Sequence, residues 1–310
     1  MRCLVVGNQP PPFGGVAVYV RRRISQLVVA NAVVFVVPSA PRLAQLARFL
    51  VECAFLRLDL VEVNSTRIQW VFFLRALFPR ATIIVIDHNS SRRLGGFGGI
   101  LNVIYGLGFL LVDRIDIVRM GLELNYRKLP FYSQFKFSAR SVYITPPESE
   151  IASAIESWPD SFASFVAAGR VIVSCAYELD FQRDIYRYFD VLHAFVDVAR
   201  QISDVKLVLT AARCQAEYAA RLNSFVQAER LQARVFFLVG PVEIWPLFKS
   251  AQLFLRITTT DGDSVAVREA LAFGCGVVAS NVVARPEGVV LVSLGDTEGL
   301  TRAIMKRLNE

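Results

Sequence analysis

Near the C-terminal end, Thr258 to Ser280 reads TTTDGDSVAVREALAFGCGVVAS. In a largely apolar region it gathers three carboxylates, Asp261, Asp263 and Glu269, around a Gly-Ser turn. The Asp-Gly and Asp-Ser steps favour tight backbone geometry, and Asp263 or Ser264 can cap a helix start. Val265 to Phe273 suits that helix, Gly274 sits where a left-handed C-cap belongs, and GVVAS reads as a buried strand. The preceding AQLFLRI is strand-like too. A strand, a turn, a helix with exposed N–H groups and a second strand make an anion site. Turn chemistry alone leaves the acids unexplained.

Two other stretches carry candidate chemistry. GNQPPPFGGVAVYVRRR, Gly7 to Arg23, follows the first strand and opens the first long helix. Gly14 and Gly15 let the backbone approach a ligand closely, and the helix start behind them favours negative charge. The stretch is not the dinucleotide fingerprint GxGxxG, and a plain strand-to-helix connection is the equal alternative. TIIVIDHNSS, Thr82 to Ser91, places His88 just past the end of a buried strand. Open α/β sheets bind ligands at that edge, although a lone histidine is more often structural.

The elements that must position these residues follow from an alternation of short apolar runs and helical patterns. Strand candidates are CLVVG, AVVFVV, LDLVEVN, TIIVID and DIVRM, then VIVSC, KLVLT, VFFLV, LFLRI, GVVAS and VVLVS. Helix-length stretches such as Val16 to Val29 and Asp184 to Ile202 lie between them. Such alternation predicts an α/β fold of parallel βαβ units covered by helices on both faces. The 310 residues fit two domains of about 150 each. The pattern restarts at Val171, after the polar TPPESEIASAIESWPDS, so the expected division is 1–165 and 166–310. Two doubly wound, Rossmann-like domains facing across a cleft are the expected architecture.

Composition narrows the partners. The net charge of +7 favours phosphate groups or anionic lipid, but the basic residues are scattered and no RNA-type aromatic motif occurs. Nucleic acid is not an expected partner. Five cysteines without a CxxC pair, and two histidines far apart, argue for reduced structural thiols and against a zinc site. MRCLVVG runs straight into a turn with no signal-peptide layout, which points to the cytoplasm.

One stretch breaks the rhythm. From Leu94 to Val112 the chain reads LGGFGGILNVIYGLGFLLV, without a charge and preceded by Arg92 and Arg93. A span would put two halves of one sheet on opposite sides of a bilayer. A buried helix, or an apolar, Arg-flanked surface at a membrane interface, are the remaining readings.

Together the motifs resemble glycosyltransferases of the GT-B fold, in particular family 4. PPPFGGVAVYVRR is similar to that family's N-terminal PPxGG loop, and IDHNS to its strand ending in His-Gly. TDGDSVAVREALAFGCGVVAS resembles its acidic Glu-x7-Glu motif with the following Ala-x-x-x-Gly-x-Pro-Val-Val-Ala-Ser, and RPEGVVL matches the stretch that comes next. The resemblance implies that Glu269 bonds the ribose hydroxyls of a nucleotide sugar and Asp261 the hydroxyls of the transferred sugar. It also implies that N–H groups at Gly262, Asp263 and Ser264 face the sugar or diphosphate. Gly14 and Gly15 would lie beside the donor phosphates, and His88 near the reacting centre.

The sequence departs from the family where a Gly-Arg pair and a following Lys clamp the diphosphate. Cys175-Ala176 stands there, no Lys follows, and Arg183 or Arg187 is the expected substitute, Arg187 being more readily a residue of a solvated helix face. Gly276 stands in place of the motif proline. The resemblance implies a retaining glycosyltransferase that takes a UDP- or GDP-linked sugar as co-substrate, with no metal and no resident cofactor. The apolar 94–112 stretch suggests a glycan or lipid-linked acceptor in envelope polysaccharide assembly, and peripheral contact at the inner face of the membrane. The alternative is a non-catalytic GT-B-like subunit that binds a partner glycosyltransferase or glycan. A nucleotide-sugar epimerase is a weaker one, because it would need more acid and base groups than two histidines supply.

Overall fold

A computed structural model describes the chain except for residues 11–13, 42–43, 46–47, 50, 52–56, 95, 97, 120, 147 and 241. The chain forms two compact units that divide between Ile144 and Thr145, except that Gly14 groups with the second. In the first, β1 (Arg2–Val6), α1 (Gly15–Val29), β2 (Val33–Val37), β3 (Leu60–Val63), α2 (Ile68–Leu77) and β4 (Thr82–Asp87) follow one another. They are followed by α3 (Gly99–Leu110), β5 (Arg114–Ile117) and β6 (Phe137–Ala139). The strands form one sheet in the order β2-β1-β3-β4-β5-β6, parallel at every pairing.

The second unit holds α4 (Glu148–Glu156), α5 (Asp160–Val166), β7 (Arg170–Leu179), α6 (Tyr188–Gln201), β8 (Val205–Cys214), α7 (Ala216–Ala228) and β9 (Val235–Val239). It continues through β10 (Leu253–Arg256), α8 (Val265–Ala272), β11 (Gly276–Ser280), β12 (Val289–Val292) and α9 (Thr297–Asn309). Its sheet runs β12-β11-β10-β7-β8-β9, again all parallel. Counted from β7, this is the doubly wound order 3-2-1-4-5-6, whose strand order reverses between β7 and β10. Two Rossmann-like units are therefore present, as the alternation of runs predicts.

The central strands are apolar on both faces because helices cover both: Leu253, Phe254 and Leu255 are all fully buried. On one face α6 lays Val191, Leu192, Phe195 and Val198 into the core. The Tyr188 hydroxyl at its start donates to the Thr210 carbonyl at 2.6 Å, with the Ser174 carbonyl 3.1 Å away, and so ties the helix to β8 and β7. The opposite face explains why the division falls earlier than residue 165. Ile151 and Ala154 of α4 and Phe162 of α5 pack with Val171, Val173 and Phe254. The Trp158 indole N–H donates to the Glu243 carbonyl at 2.7 Å. The polar stretch that looked like a linker thus supplies helices to the second core.

The first sheet contains a charged pin. Glu62, in mid-strand on β3, is fully buried and gripped by Arg23 of α1 at 2.8 Å and by Arg140 beyond β6 at 3.1 Å. Arg140 also reaches Asp116 of β5 at 3.2 Å. Burial alone would raise the Glu62 carboxyl, but the two arginines more than offset it and hold it below the usual range.

Candidate functional site

The acidic turn lies at the reversal point of the second sheet. It leaves the end of β10, and the Thr259 N–H donates to the Ile185 carbonyl, in the loop after β7, at 2.9 Å. Thr258 and Ser280 interlock the ends of β10 and β11: the Thr258 N–H donates to Ser280 Oγ at 3.0 Å, and that hydroxyl donates to the Thr258 carbonyl at 2.7 Å. Ser264 then caps α8, its Oγ accepting the Val267 N–H at 3.4 Å. At the far end Gly274 takes a left-handed φ of 78°. The Cys275 and Gly274 N–H groups donate to the Ala270 and Leu271 carbonyls at 2.8 and 3.1 Å, a Schellman closure that hands the chain to β11. Gly276 donates its N–H to the Gln252 carbonyl at 3.2 Å, a bond that a proline there would lack.

Asp261 sits inside a two-arginine cage. Arg256, the last residue of β10, grips both of its carboxylate oxygens at 2.9 Å, and Arg285, in the loop after β11, approaches at 2.7 Å. Arg285 is nearly inaccessible, with 2% of its side chain exposed. Burial pushes the Asp261 carboxyl up, but the two guanidinium groups win and leave it below the ordinary carboxylate range. Arg256 has further contacts: it donates to the Cys175 carbonyl at 3.2 Å and stacks over the Tyr186 ring. A cation therefore lies against the Cys175-Ala176 step where the sequence lacks one, supplied from the neighbouring strand.

The other acids differ in environment. Asp263 is paired with Arg268 at 2.6 Å, yet burial outweighs that partner and leaves its carboxyl raised. Glu269 is buried on α8, and its charge is felt at Cys175 together with those of Arg256 and Asp261. Burial drives the Cys175 thiol up to about 11, so it stays protonated near neutrality and is no thiolate nucleophile. Arg183 donates to Asp180 and Glu178, carboxylates close to it in sequence, and more than half of its side chain is exposed.

In the first unit, β1 and β3 mark the corresponding reversal point. Gly15 opens α1 and Gly14 precedes it, while residues 11–13 of the same loop lie outside the described residues. Asp87 at the end of β4 accepts the Ser91 N–H and the Ser90 hydroxyl, at 3.1 and 3.2 Å, and so bends the chain around His88. Asn89 completes the turn at a φ of 82°. His88 Nε2 is 2.9 Å from Asn64 Oδ1, and the Tyr19 ring meets the imidazole edge-on at 4.9 Å. With a carbonyl oxygen as partner, Nε2 carries the proton and Nδ1 keeps its lone pair. Desolvation, helped by Arg140, pushes the imidazole down to about 3, so it is neutral near pH 7 and offers hydrogen bonds without a charge.

Thus Asp261, Gly262, Asp263, Ser264 and Glu269 come together in the second unit, with Cys175 beside them. Gly15 and His88 belong to the first, whereas Gly14, just before α1, groups with the second. Sequence reasoning missed Arg256, which reads as the end of a strand, and Arg285, whose partner is 24 residues away. It also missed Asn64, although Asn64 follows β3 as His88 follows β4, and the strand-edge rule that picked His88 would have found it. The buried Asn64 Nδ2 has no hydrogen-bond partner among the described residues.

Comparison with known proteins fits this geometry. The family model described as "Glycosyl transferases group 1" matches residues 181–310, a span that holds Arg256, Asp261, Glu269 and Arg285. No curated protein matches the chain in sequence. Among solved structures, HepE of Anabaena in complex with UDP is similar over 100% of this chain and 90% of its own, with a TM-score of 0.63 at 14% identity. Sucrose-phosphate synthase of Thermosynechococcus elongatus covers the same shares with a TM-score of 0.68 at 16% identity. An α,α-trehalose-phosphate synthase of Burkholderia xenovorans, in complex with glucose-6-phosphate, covers 100% of this chain and 92% of its own, with a TM-score of 0.68 at 12% identity. The chain has the GT-B fold, and its residues 181–310 match the glycosyl transferases group 1 family.

Proposed function

We propose that the protein is a retaining glycosyltransferase of family 4 type that moves a sugar from a UDP- or GDP-linked donor to an acceptor hydroxyl. One observation carries the reading: the acidic turn lies at the strand-order reversal of the second sheet, at the start of α8, inside the residues that match the family. Glu269 would accept hydrogen bonds from the two ribose hydroxyls, and the N–H groups of Gly262, Asp263 and Ser264 would meet the sugar or diphosphate. HepE in complex with UDP and with UDP-glucose supports the choice of co-substrate.

In this reading the anomeric carbon–phosphate oxygen bond breaks, and the acceptor oxygen bonds to that carbon on the same face. The acceptor proton passes to the leaving phosphate. Charge grows on the diphosphate as the bond breaks, and donors already in place stabilise it without reorganising. Arg256 is the better-placed cation, because it lies against the Cys175 carbonyl, whereas Arg183 is more than half exposed and held by Asp180 and Glu178. Neutral His88 would hydrogen-bond the transferred sugar near the reacting centre, and Gly14 and Gly15 would let the backbone approach the donor phosphates. The nucleotide sugar is a co-substrate, the acceptor a glycan or lipid-linked chain of envelope polysaccharide assembly, and the compartment the cytoplasm. Free thiols at Cys3, Cys175, Cys214 and Cys275 suit that compartment.

Thermal melting with UDP and GDP tests the reading, since a ligand at a hundred times its Kd stabilises the folded state by about 2.7 kcal/mol. Glu269→Ala should weaken the bound nucleotide by roughly 1.5–3 kcal/mol, about tenfold or more in calorimetry. No shift with either nucleotide would sink the proposal. The grip of Arg256 and Arg285 on Asp261 favours a second reading as a non-catalytic subunit. Nucleotide binding without turnover of any bound donor would select it.

A further inference from the structure

The helix α3 has an outer face that a water-exposed helix does not ordinarily carry. Its sequence, GILNVIYGLGFL, contains no charge. The inner side is well anchored: Phe109 is buried and packs edge-on against Tyr126 at 5.1 Å, and Phe135 lies 5.8 Å away. Gly106 and Gly108 allow close approach, since a Cβ on either would run into Pro130 or Ile68. The outer side is apolar as well. Ile100, Leu101, Val103, Ile104, Leu107 and Leu110 are all exposed, Ile100 by 78%. The spacing 100, 103, 104, 107 is a helical stripe, so one continuous apolar ridge faces outward.

The surroundings of the ridge are basic and aromatic. Arg92 and Arg93 end the turn that leads towards α3, and both are exposed. Arg127 and Lys128, also exposed, come just before Pro130, the residue against Gly106, and Phe131 beside it is 41% exposed. No helix among the described residues is long and apolar enough to cross a membrane. An outward apolar ridge flanked by cations fits a surface that lies in the headgroup layer, apolar side chains down and arginines at the phosphates.

We propose that α3 and the 127–131 segment dock the protein onto a bilayer containing anionic lipids. This concerns where the protein works and not what it catalyses: vesicle binding and nucleotide binding are separate measurements, and either can fail alone. The probe is co-sedimentation with phosphatidylcholine vesicles, with and without phosphatidylglycerol, at about 0.05 M and about 0.5 M salt, where the screening length falls several-fold. Wild type should sediment with the anionic vesicles. Arg92→Ser with Arg93→Ser should weaken partitioning at low salt by about fivefold per residue. Ile100→Ser with Ile104→Ser should weaken it by about tenfold or more at both salts, with the fold retained in circular dichroism because Ile100 is 78% and Ile104 40% exposed. Independently, the emission of an Ile100→Trp variant should shift to the blue on adding anionic vesicles. Wild type that stays in the supernatant overturns the proposal. So does binding that salt abolishes and the isoleucine changes leave intact, which would reflect the net charge alone. A vesicle-independent dimer that the isoleucine changes return to monomer would assign the ridge to a second copy of the chain and overturn it equally.

Discussion

Each unit of the protein has a carboxylate buried between two arginines, Glu62 in the first and Asp261 in the second, and the two clusters differ in where they sit. Glu62 lies in the middle of a strand, and Arg23 and Arg140 reach it from α1 and from beyond β6. Asp261 lies past the end of a strand, in the turn before α8, gripped by Arg256 and Arg285. Both carboxyls are held below the ordinary range against the opposing effect of burial. A mid-strand cluster whose carboxylate is fully buried fastens the elements that reach it. A cluster at the strand-order reversal stands where an α/β sheet binds its ligands. The same ion-pair chemistry thus serves a fastener in one unit and a candidate site in the other.

The largest effect is expected from Glu62→Ala. Removing one partner of a buried pair leaves uncompensated charge and costs about 3–5 kcal/mol. Denaturant unfolding should show that loss, while nucleotide affinity of the folded variant stays at the wild-type value. A loss below 1 kcal/mol would deny the fastener role.

Asp261→Asn should separate the clusters. The amide keeps the shape and part of the hydrogen bonding, so the stability cost should be smaller, about 1–3 kcal/mol. Two arginines freed of their carboxylate should hold a nucleoside diphosphate at least as tightly as before in calorimetry, while sugar transfer falls. If nucleotide affinity and transfer both stay unchanged, Asp261 is a second fastener and the contrast collapses.

The smallest effect concerns pH. The folded chain refuses a proton at His88 until about pH 3, whereas the unfolded chain takes one up near 6.5. The unfolded state therefore binds more protons within that window, and stability falls as pH drops through it, by at most about 1.4 kcal/mol per unit. The lowered carboxyls of Glu62 and Asp261 act at more acid pH, where their contribution is lost as the solution falls through their folded values. In urea titrations from pH 7 to 5, His88→Gln should flatten the slope. An unaltered slope would mean that His88 is solvated and charges normally.

How much was legible in the sequence depended on how local the cause was. The cap at Ser264 and the left-handed Gly274 need only their neighbours in the chain, and both stand where the turn chemistry placed them. Long apolar runs such as TIIVID and VIVSC became buried strands because only a two-sided core accommodates them. The edge strand β6, three residues of KFSAR, carries no such run and was not visible. The division between units was displaced because the periodicity of α4 and α5 shows that a face is buried but not against what. The Asp261 cage was hidden for the same reason, since Arg285 reaches it only after β11 has formed.

The two sheets are built from separate stretches of chain: the first is complete at Ala139 and the second begins at Arg170. No strand of one waits for a strand of the other. Parallel pairing demands long loop closures and is slow, so interleaved sheets would keep both sets of apolar strands exposed until synthesis ended. Here the first unit has all its strands while more than half of the chain is still to be made. At roughly 5–20 residues per second, that gives it on the order of 10–30 s to close before the second unit is complete. The order of the strands therefore lets the ribosome separate two slow folding problems in time.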